Sequence, residues 1–200
     1  MKVLMVGGKG TLGSAIAKDL GSRHEIIIAS RHKGDIPCDI TSEESIKAMF
    51  EQTGHVDAVI CTVSGVPFGD FSQMTADKYM TALKQKLMSQ VNLVLIGAPF
   101  IRDRGSFTLT SGVIGLEYIK TGSSAAMVNR GLEGFVKGVY PELPRQIRIN
   151  VVCPTIVLES HALYGSLFAH LKPVPAAQVA AAYRQSVEGS ETGEIYQVLS

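Results

Sequence analysis

The sequence has no tryptophan and only three cysteines among its 200 residues, and charged residues make up just 18% of it. Cys38, Cys61 and Cys153 are far apart and odd in number. This spacing indicates neither a disulfide framework nor the paired cysteines of a zinc site. We expect the cysteines to be small buried side chains. The five histidines have no metal-ligand spacing either, so we expect no metal site.

The sequence also lacks an excess of charge of either sign and a long apolar run. Lys and Arg total 19 and Asp and Glu total 18, a net charge of +1, without the basic excess typical of nucleic-acid-binding domains. The first apolar run ends at Gly7, too early for a signal peptide. The run from Val91 to Ile101 is shorter than the roughly 18 apolar residues of a membrane span. These features predict a cytoplasmic protein without a nucleic-acid or membrane partner.

What the sequence contains is an alternation of short Val- and Ile-rich runs with longer helical patterns, and hydrophobic residues make up 46% of it. Such an alternation predicts a parallel sheet with helices on both faces, that is, a single doubly wound α/β domain over residues 1–200. The predicted strands are Lys2–Val6, Glu25–Ala29, Val56–Val63, Ser106–Leu109, Ile147–Val152 and Glu194–Val198, and the predicted helices are Thr11–Leu20, Thr41–Phe50, Thr75–Phe100 and Ser123–Tyr140.

The first βα loop is rich in glycine and reads Gly7-Gly8-Lys9-Gly10-Thr11-Leu12-Gly13. It follows a predicted strand and opens a predicted helix, which is the context in which such a motif indicates a Rossmann-type dinucleotide site. Gly7 permits the tight turn, and Gly10 allows a pyrophosphate to approach the backbone. Gly13 allows the helix to pack closely on the sheet. The alternative is an ordinary glycine-rich turn.

The end of the second strand indicates which dinucleotide binds. NAD-specific sites carry an Asp or Glu about 20 residues after the glycine loop, whereas this strand ends in Ser30-Arg31-His32-Lys33. The Arg31 guanidinium is suited to grip a 2′-phosphate, the Ser30 hydroxyl to donate to it, and Lys9 to approach it from the glycine loop. The sequence therefore predicts NADP(H), the alternative being a solvated basic turn.

From Lys2 to about Val198 the chain resembles the short-chain dehydrogenase/reductase (SDR) superfamily. The segments that carry the resemblance are Cys38–Thr41, Thr62–Gly65, Ser106–Gly112 and Ile147–Pro154, in the family's order and spacing. Thr62-Val63-Ser64-Gly65 keeps only the glycine of the family's Asn-Asn-Ala-Gly loop, and Thr155 replaces a glycine. The resemblance implies an adenine contact for Asp39, a short substrate lid over about residues 155–172, and further cofactor contacts from Ile40, Val63, Ser64, Gly65, Pro154 and Ile156.

The resemblance fails at the catalytic positions. Family members use an Asn, a Ser, and a Tyr and a Lys separated by three residues, in which the Tyr hydroxyl passes the proton. Aligning Gly131–Phe135 with the family places Ala125 at the Tyr position and Asn129 at the Lys position. Lys86 then stands where the family has Asn, and the Ser position falls at Gly112 or, with a slip of one residue, at Ser111. The chain thus resembles an atypical subgroup without the catalytic pair.

Two functions suit this pattern. One is an NADP(H)-dependent oxidoreductase for a small carbonyl or alcohol, in which Lys86 and Asn129 exchange the family's positions. Lys86 would then stabilise charge, Ser111 would bind the substrate oxygen, and Tyr118 would serve as a relocated proton donor. The alternative is an inactive NADP(H) sensor or binding module, in which these side chains are structural or exposed.

The resemblance also implies an oligomer. In many SDR dimers the helices that correspond to Thr75–Phe100 and Ser123–Tyr140 pair into a four-helix bundle. Gly131, Gly134 and Gly138 would allow close packing there, although they could equally contact the chain's own sheet. We expect a homodimer or homotetramer.

Overall fold

The computed structural model describes residues 1–199, and in it seven strands form one parallel sheet. The strands are β1 (Lys2–Val6), β2 (Glu25–Ser30), β3 (Ile36–Pro37), β4 (Val56–Cys61), β5 (Ile101–Thr110), β6 (Arg148–Pro154) and β7 (Ile195–Val198). Their order across the sheet is β3-β2-β1-β4-β5-β6-β7. The direction of winding reverses between β1 and β4, so the loops after these strands diverge and open a crevice at the carboxyl edge. The predicted doubly wound α/β domain is confirmed.

The four predicted helices are present, with ends that differ from the prediction by no more than three residues and with one of them interrupted, and two further helices follow β6. They are α1 (Thr11–Leu20), α2 (Glu43–Thr53), α3 (Ala76–Ala82), α4 (Ser89–Gly97), α5 (Ser123–Val139), α6 (His161–Tyr164) and α7 (Ala176–Glu188). The predicted continuous helix Thr75–Phe100 is instead α3, a π-helical turn over Leu83–Met88, α4, and a 3₁₀ turn. None of the helices within residues 1–199 combines the length and apolarity that a membrane crossing needs.

The sheet is covered on both faces, which explains the apolar strands. Successive β1 residues point to opposite faces, so Leu4 packs into the core formed with α2, α4 and α5, while Met5 packs into the core formed with α1 and α7. The three cysteines are buried and unpaired, as expected.

Side chains cap the N-termini of α2 and α3, but no described side chain caps the N-terminus of α1, which follows the glycine loop. Ser42 caps α2 by accepting a hydrogen bond from Ser45 N at 3.2 Å, and Thr75 caps α3 by accepting one from Lys78 N at 3.3 Å. At Gly10, which precedes α1, there is no side-chain cap. The amide groups of the first turn of α1 are therefore free to bind an anion.

Candidate active site

A cavity of about 1000 Å³ lies beyond the carboxyl ends of β1, β4, β5 and β6. It brings together all the predicted cofactor residues except Gly8, and all the predicted catalytic residues except Tyr118. Its walls include Gly7, Lys9–Gly13, Ala29–Lys33, Cys38–Thr41, Thr62–Val66, Lys84–Lys86, Thr110–Ile114 and Pro154–Val157. One continuous cavity thus joins the glycine loop to the catalytic positions.

The backbone of the glycine loop requires glycine at several positions. Gly7 has a φ of +90°, which favours glycine. A Cβ on Gly13 would collide with the carbonyl oxygen of Gly7 and the Cα of Gly8. Gly8 lies behind the loop, where a Cβ would come within 3.1 Å of the Ile28 side chain. Gly8 is therefore a packing residue, and the cavity wall is formed by its neighbours.

The cavity is basic at the end of β2. Lys9, Arg31, His32 and Lys33 are exposed there and line it. Lys84, on the π-helical turn, lines the same end of the cavity. Lys84 was not predicted as a site residue from the sequence. The four lysine and arginine side chains make this end a site for an anionic group.

Two predicted polar contacts of the cofactor also lie at this end. The Ser30 hydroxyl oxygen accepts a hydrogen bond from Lys33 N at 3.0 Å, so its own proton is free to donate. Hydrogen bonds from the backbone and the side chain of Thr41 hold the pKa of Asp39 below its usual value, and Arg31 and Lys84 act in the same direction. Asp39 is thus an ionised hydrogen-bond acceptor in the cavity wall.

Lys86 is buried at the other end of the cavity. Its side chain is 5% exposed, and Nζ donates a hydrogen bond to the carbonyl oxygen of Ser111 at 3.0 Å. Burial lowers the pKa of Lys86 to about 8. Its own carbonyl oxygen accepts hydrogen bonds from Ser89 Oγ and Gln90 Nε2, both at 3.3 Å. These two side chains secure the backbone of the π-helical turn that carries Lys86.

Ser111 lines the cavity, and its hydroxyl is linked to two charged side chains that lie behind it. No signal in the sequence indicated these contacts. Ser111 Oγ donates to Glu133 Oε1 at 2.7 Å, and the other carboxylate oxygen of Glu133 lies 2.6 Å from Arg130 Nη1. Arg130 also donates to the carbonyl oxygen of Gly112 at 2.9 Å. Ser111 is therefore held by an ion pair on α5.

The positions of the family's Tyr and Lys carry no acid. Ala125 is buried, and Asn129 Nδ2 donates to the carbonyl oxygen of Ile114 at 2.9 Å. Asn129 Oδ1 and Thr155 Oγ1 are buried without a hydrogen-bond partner in the described part of the chain. Because both residues line the cavity, a bound ligand is the natural source of their missing partners.

Tyr118 does not reach the site, contrary to expectation. Its side chain is 81% exposed and lies outside the cavity wall. The neighbouring Ile114 and Ile119 pack with Val113 and Ala125 in a small core, and this packing holds the loop with Tyr118 in solvent.

The aromatic residues that do line the cavity are Phe68, Tyr164 and Phe168. Tyr164 lies on α6, inside the predicted lid, and is 52% exposed. Tyr164 was not predicted as a site residue from the sequence, because the family motifs that carry the resemblance do not extend to this position.

Comparison with known proteins gives a consistent result. A family model described as enoyl-(acyl carrier protein) reductase matches residues 12–198. Among curated proteins, the enoyl-[acyl-carrier-protein] reductase [NADH] FabI of Nostoc sp. (strain PCC 7120) is 28% identical over 143 residues, which cover 66% of this chain and 55% of that protein. The chain thus spans about half the length of this curated relative.

Solved structures match almost the whole chain. The protein lin1944 from Listeria innocua is 44% identical, with a TM-score of 0.97 and 99% of both chains covered. A small-chain dehydrogenase in complex with NADPH is 27% identical, with a TM-score of 0.88, over 99% of this chain and 96% of that one. Since the family model and these structures extend over nearly the full sequence, the chain belongs to the short-chain dehydrogenase/reductase superfamily.

Proposed function

We propose that this member of the superfamily is an NADP(H)-dependent oxidoreductase that acts on a small carbonyl or alcohol. The observation that carries the proposal is the continuity of the cavity, which runs from the glycine loop to a buried lysine beside Ser111. A protein that only held the dinucleotide would have no need of a buried ammonium at the far end, since burying a charge costs stability.

The residues of the crevice fit a dinucleotide. The first turn of α1 would hold the pyrophosphate, and Asp39 and Ile40 would contact the adenine. Val63, Ser64 and Gly65 would lie along the middle of the cofactor, with Pro154 and Ile156 near the nicotinamide. When bound, the nicotinamide supplies or accepts a hydride.

A preference for NADP(H) over NAD(H) is supported by two features of the β2 end. It lacks the carboxylate that binds the ribose of NAD, and it presents Lys9, Ser30 and Arg31 to the cavity. The structural neighbour in complex with NADPH agrees with this preference, whereas the relative from Nostoc is named for NADH.

In this proposal the remaining polar groups act on the substrate. The Lys86 ammonium stabilises the negative charge that develops on the substrate oxygen, and the unpartnered oxygen of Asn129 accepts a hydrogen bond from the substrate. The segment over about residues 155–172 closes the site as a short lid, and Phe68, Tyr164 and Phe168 make its entrance apolar.

A second function is favoured by one observation, the buried Ala125 at the family's Tyr position. Without that hydroxyl the protein could serve as an NADP(H) sensor. Purified protein incubated with NADPH and a panel of aldehydes, ketones and quinones distinguishes the two functions. We expect NADPH oxidation with at least one carbonyl class and its loss in Lys86→Ala. Tight NADPH binding without any turnover would support the sensor.

The proposal includes a homodimer or homotetramer in the cytoplasm. Met88, Leu95 and Met127 expose apolar side chains on the two helical segments expected to pair. A Cβ added to Gly134 or Gly138 would meet nothing within 4 Å, which leaves these positions open to a second chain. Unpaired buried thiols suit a reducing compartment.

A further inference from the structure

We propose that the ammonium of Lys86 is the proton donor for carbonyl reduction in this site, and that its neutral amine is the base for alcohol oxidation. This inference rests on the proposed function and assigns Lys86 a role beyond electrostatic stabilisation. It answers the question raised by Ala125, namely which group passes the proton in a site without the family's tyrosine.

The hydrogen bonds around Ser111 exclude its hydroxyl as the donor. A carboxylate can only accept, so at 2.7 Å the single proton of Ser111 Oγ points to Glu133 Oε1. The Arg130 guanidinium, 2.6 Å from Glu133 Oε2, keeps that carboxylate ionised and in place. Ser111 Oγ therefore faces the cavity with a lone pair. A lone pair can accept a hydrogen bond from a substrate O–H, but it cannot donate one to an oxyanion.

The Lys86 ammonium has protons that are not used in hydrogen bonds to the described residues. It carries three, and one is committed to the carbonyl oxygen of Ser111 at 3.0 Å. Within residues 1–199 no other hydrogen-bond acceptor is found for Nζ, although the side chain lines the cavity. Asn129, the other cavity residue bonded to this loop, has only amide protons, which are not acidic.

Burial is the main cause that favours release of the proton of Lys86. Cys61 on β4 and Cys153 on β6 lie nearby and act in the opposite direction on the pKa of Lys86, although burial raises the pKa of both thiols, so they are neutral. Arg130 on α5 is a like charge, and Glu133 is paired with it. Among the described residues no carboxylate forms an ion pair with Lys86, and burial brings its pKa to about 8. A donor with a pKa near the working pH is the most effective general acid.

The backbone fixes Lys86 at this position. The π-helical turn Leu83–Met88 adds a residue relative to an α-helix, a feature common at functional sites. Gln90 pairs with both the Lys86 carbonyl and the Thr110 backbone, which holds the turn against the end of β5. Proton transfer requires such fixed geometry.

Atoms and electrons balance in the proposed step. The carbonyl carbon would receive a hydride, with its electron pair, as a C–H bond of the reduced dinucleotide of the proposed function breaks. A new C–H bond would form on the substrate, and the dinucleotide would be left oxidised. The C=O π pair moves to oxygen, which takes a proton from Lys86 Nζ and becomes a hydroxyl. The neutral amine that remains regains a proton from water, and alcohol oxidation is the reverse.

The first test needs neither cofactor nor substrate. Protein labelled with ¹⁵N and ¹³C in lysine is titrated by NMR through Nζ and Cε, and the Lys86 signal is assigned by its absence in Lys86→Arg. We expect Lys86 to titrate near pH 8, at least one pH unit below the exposed lysines. A Lys86 signal that titrates together with the exposed lysines overturns the inference.

The second test is the pH profile of kcat for carbonyl reduction by the NADPH-bound enzyme. We expect a fall in kcat above about pH 8, because the neutral amine has no proton to give. Lys86→Met should lower kcat by about 10²–10⁴-fold and abolish this fall. Lys86→Arg should move the fall upward by at least two pH units, since arginine does not lose its proton in this range. NADPH affinity should change less than about threefold in both variants.

Controls separate this inference from the proposed function. Tyr118→Phe, which lies outside the cavity, should keep both the rate and the pH profile of the wild type. A kcat that survives Lys86→Met but is lost in Tyr164→Phe would assign the proton to Tyr164. That result would overturn the inference and the charge-stabilising role of Lys86, while the NADPH-dependent oxidoreductase activity would stand. Failure of the wild type to bind NADPH in calorimetry would overturn the proposed function, and the inference with it.

Discussion

The side chain of Gln90 pairs with both backbone groups of Thr110. Gln90 Oε1 accepts from Thr110 N at 2.9 Å, and Gln90 Nε2 donates to Thr110 O at 3.1 Å and to Lys86 O at 3.3 Å. One buried amide therefore joins the π-helical turn to the last residue of β5, directly before Ser111. Through this contact the distance between Lys86 and Ser111 depends on a residue that does not reach the cavity.

Replacing Gln90 by methionine should destabilise the protein strongly. Methionine has a similar shape but leaves the N–H and C=O of Thr110 buried without partners, at a cost of about 2–4 kcal/mol. Denaturant unfolding of Gln90→Met measures this change in the free energy of unfolding. The matched control is Gln52→Met at an exposed position of α2, which should change stability by less than about 0.5 kcal/mol. Equal effects of the two substitutions would contradict the role of Gln90.

Replacing Lys86 by methionine should stabilise the protein at pH 7 while it removes activity. The folded pKa of Lys86, about 8, lies below its ordinary value of 10.5, so folding at pH 7 buries an unfavourable charge. One pKa unit corresponds to about 1.4 kcal/mol. After allowance for the lost hydrogen bond to Ser111, we expect Lys86→Met to gain about 2 kcal/mol in unfolding free energy.

The stability advantage of Lys86→Met over the wild type should decrease as the pH rises above about 8. Between about pH 8 and 10.5 the unfolded chain holds a proton on Lys86 that the folded protein has released, so wild-type stability rises with pH in that window relative to the variant. The advantage of Lys86→Met should therefore shrink as the pH rises from 8 towards 10.5. A constant difference across this range would show that desolvation of the charge is not its origin.

Replacing Arg31 by alanine should weaken NADPH binding selectively. The guanidinium lines the basic end of the cavity, and a charged hydrogen bond contributes about 1.5–3 kcal/mol, or roughly 10–100-fold in affinity. Isothermal titration calorimetry of Arg31→Ala should show this loss for NADPH and little change for NADH. Arg23→Ala, which removes an arginine outside the cavity, should affect neither. Equal weakening of both nucleotides would refute the assignment of the 2′-phosphate.

Introducing a charge at Leu95 should disrupt the proposed oligomer. Leu95 is 62% exposed on α4, and burying a glutamate there without a partner would cost several kcal/mol. Multi-angle light scattering should report a dimer or tetramer for the wild type and a smaller species for Leu95→Glu. Leu116→Glu, on a different surface, should leave the mass unchanged. A monomeric wild type would contradict the proposed assembly.

The fold was predictable because its signals are local. The glycines of the first loop and the apolar runs of the strands each act within a few residues, and β1 and α1 lie where the sequence predicts them. That the glycine loop and the end of β2 line one cavity was predictable for the same reason, because the carboxyl ends of parallel strands converge on one edge.

The catalytic end was only partly predictable. The family spacing located Lys86, Asn129 and Ser111, and all three line the cavity. Tyr118 was misplaced, because the packing of Ile114 and Ile119 decides where that loop points. Tyr164 and Lys84 reach the cavity from elements whose approach depends on the whole fold.

The sequence by itself determined the parallel sheet, the glycine loop, the basic end of β2 and the absence of the family's Tyr and Lys. Only the tertiary structure placed Lys86 and Ser111 in contact at the far end of the cavity. A π-helical turn adds one residue and so rotates the rest of the helix by about 100°, which the apolar spacing of Thr75–Phe100 did not reveal. The direction of the Ser111 proton is set by Glu133 across 22 positions of the chain. Contacts of this kind arise from packing between distant segments, and no local pattern encodes them.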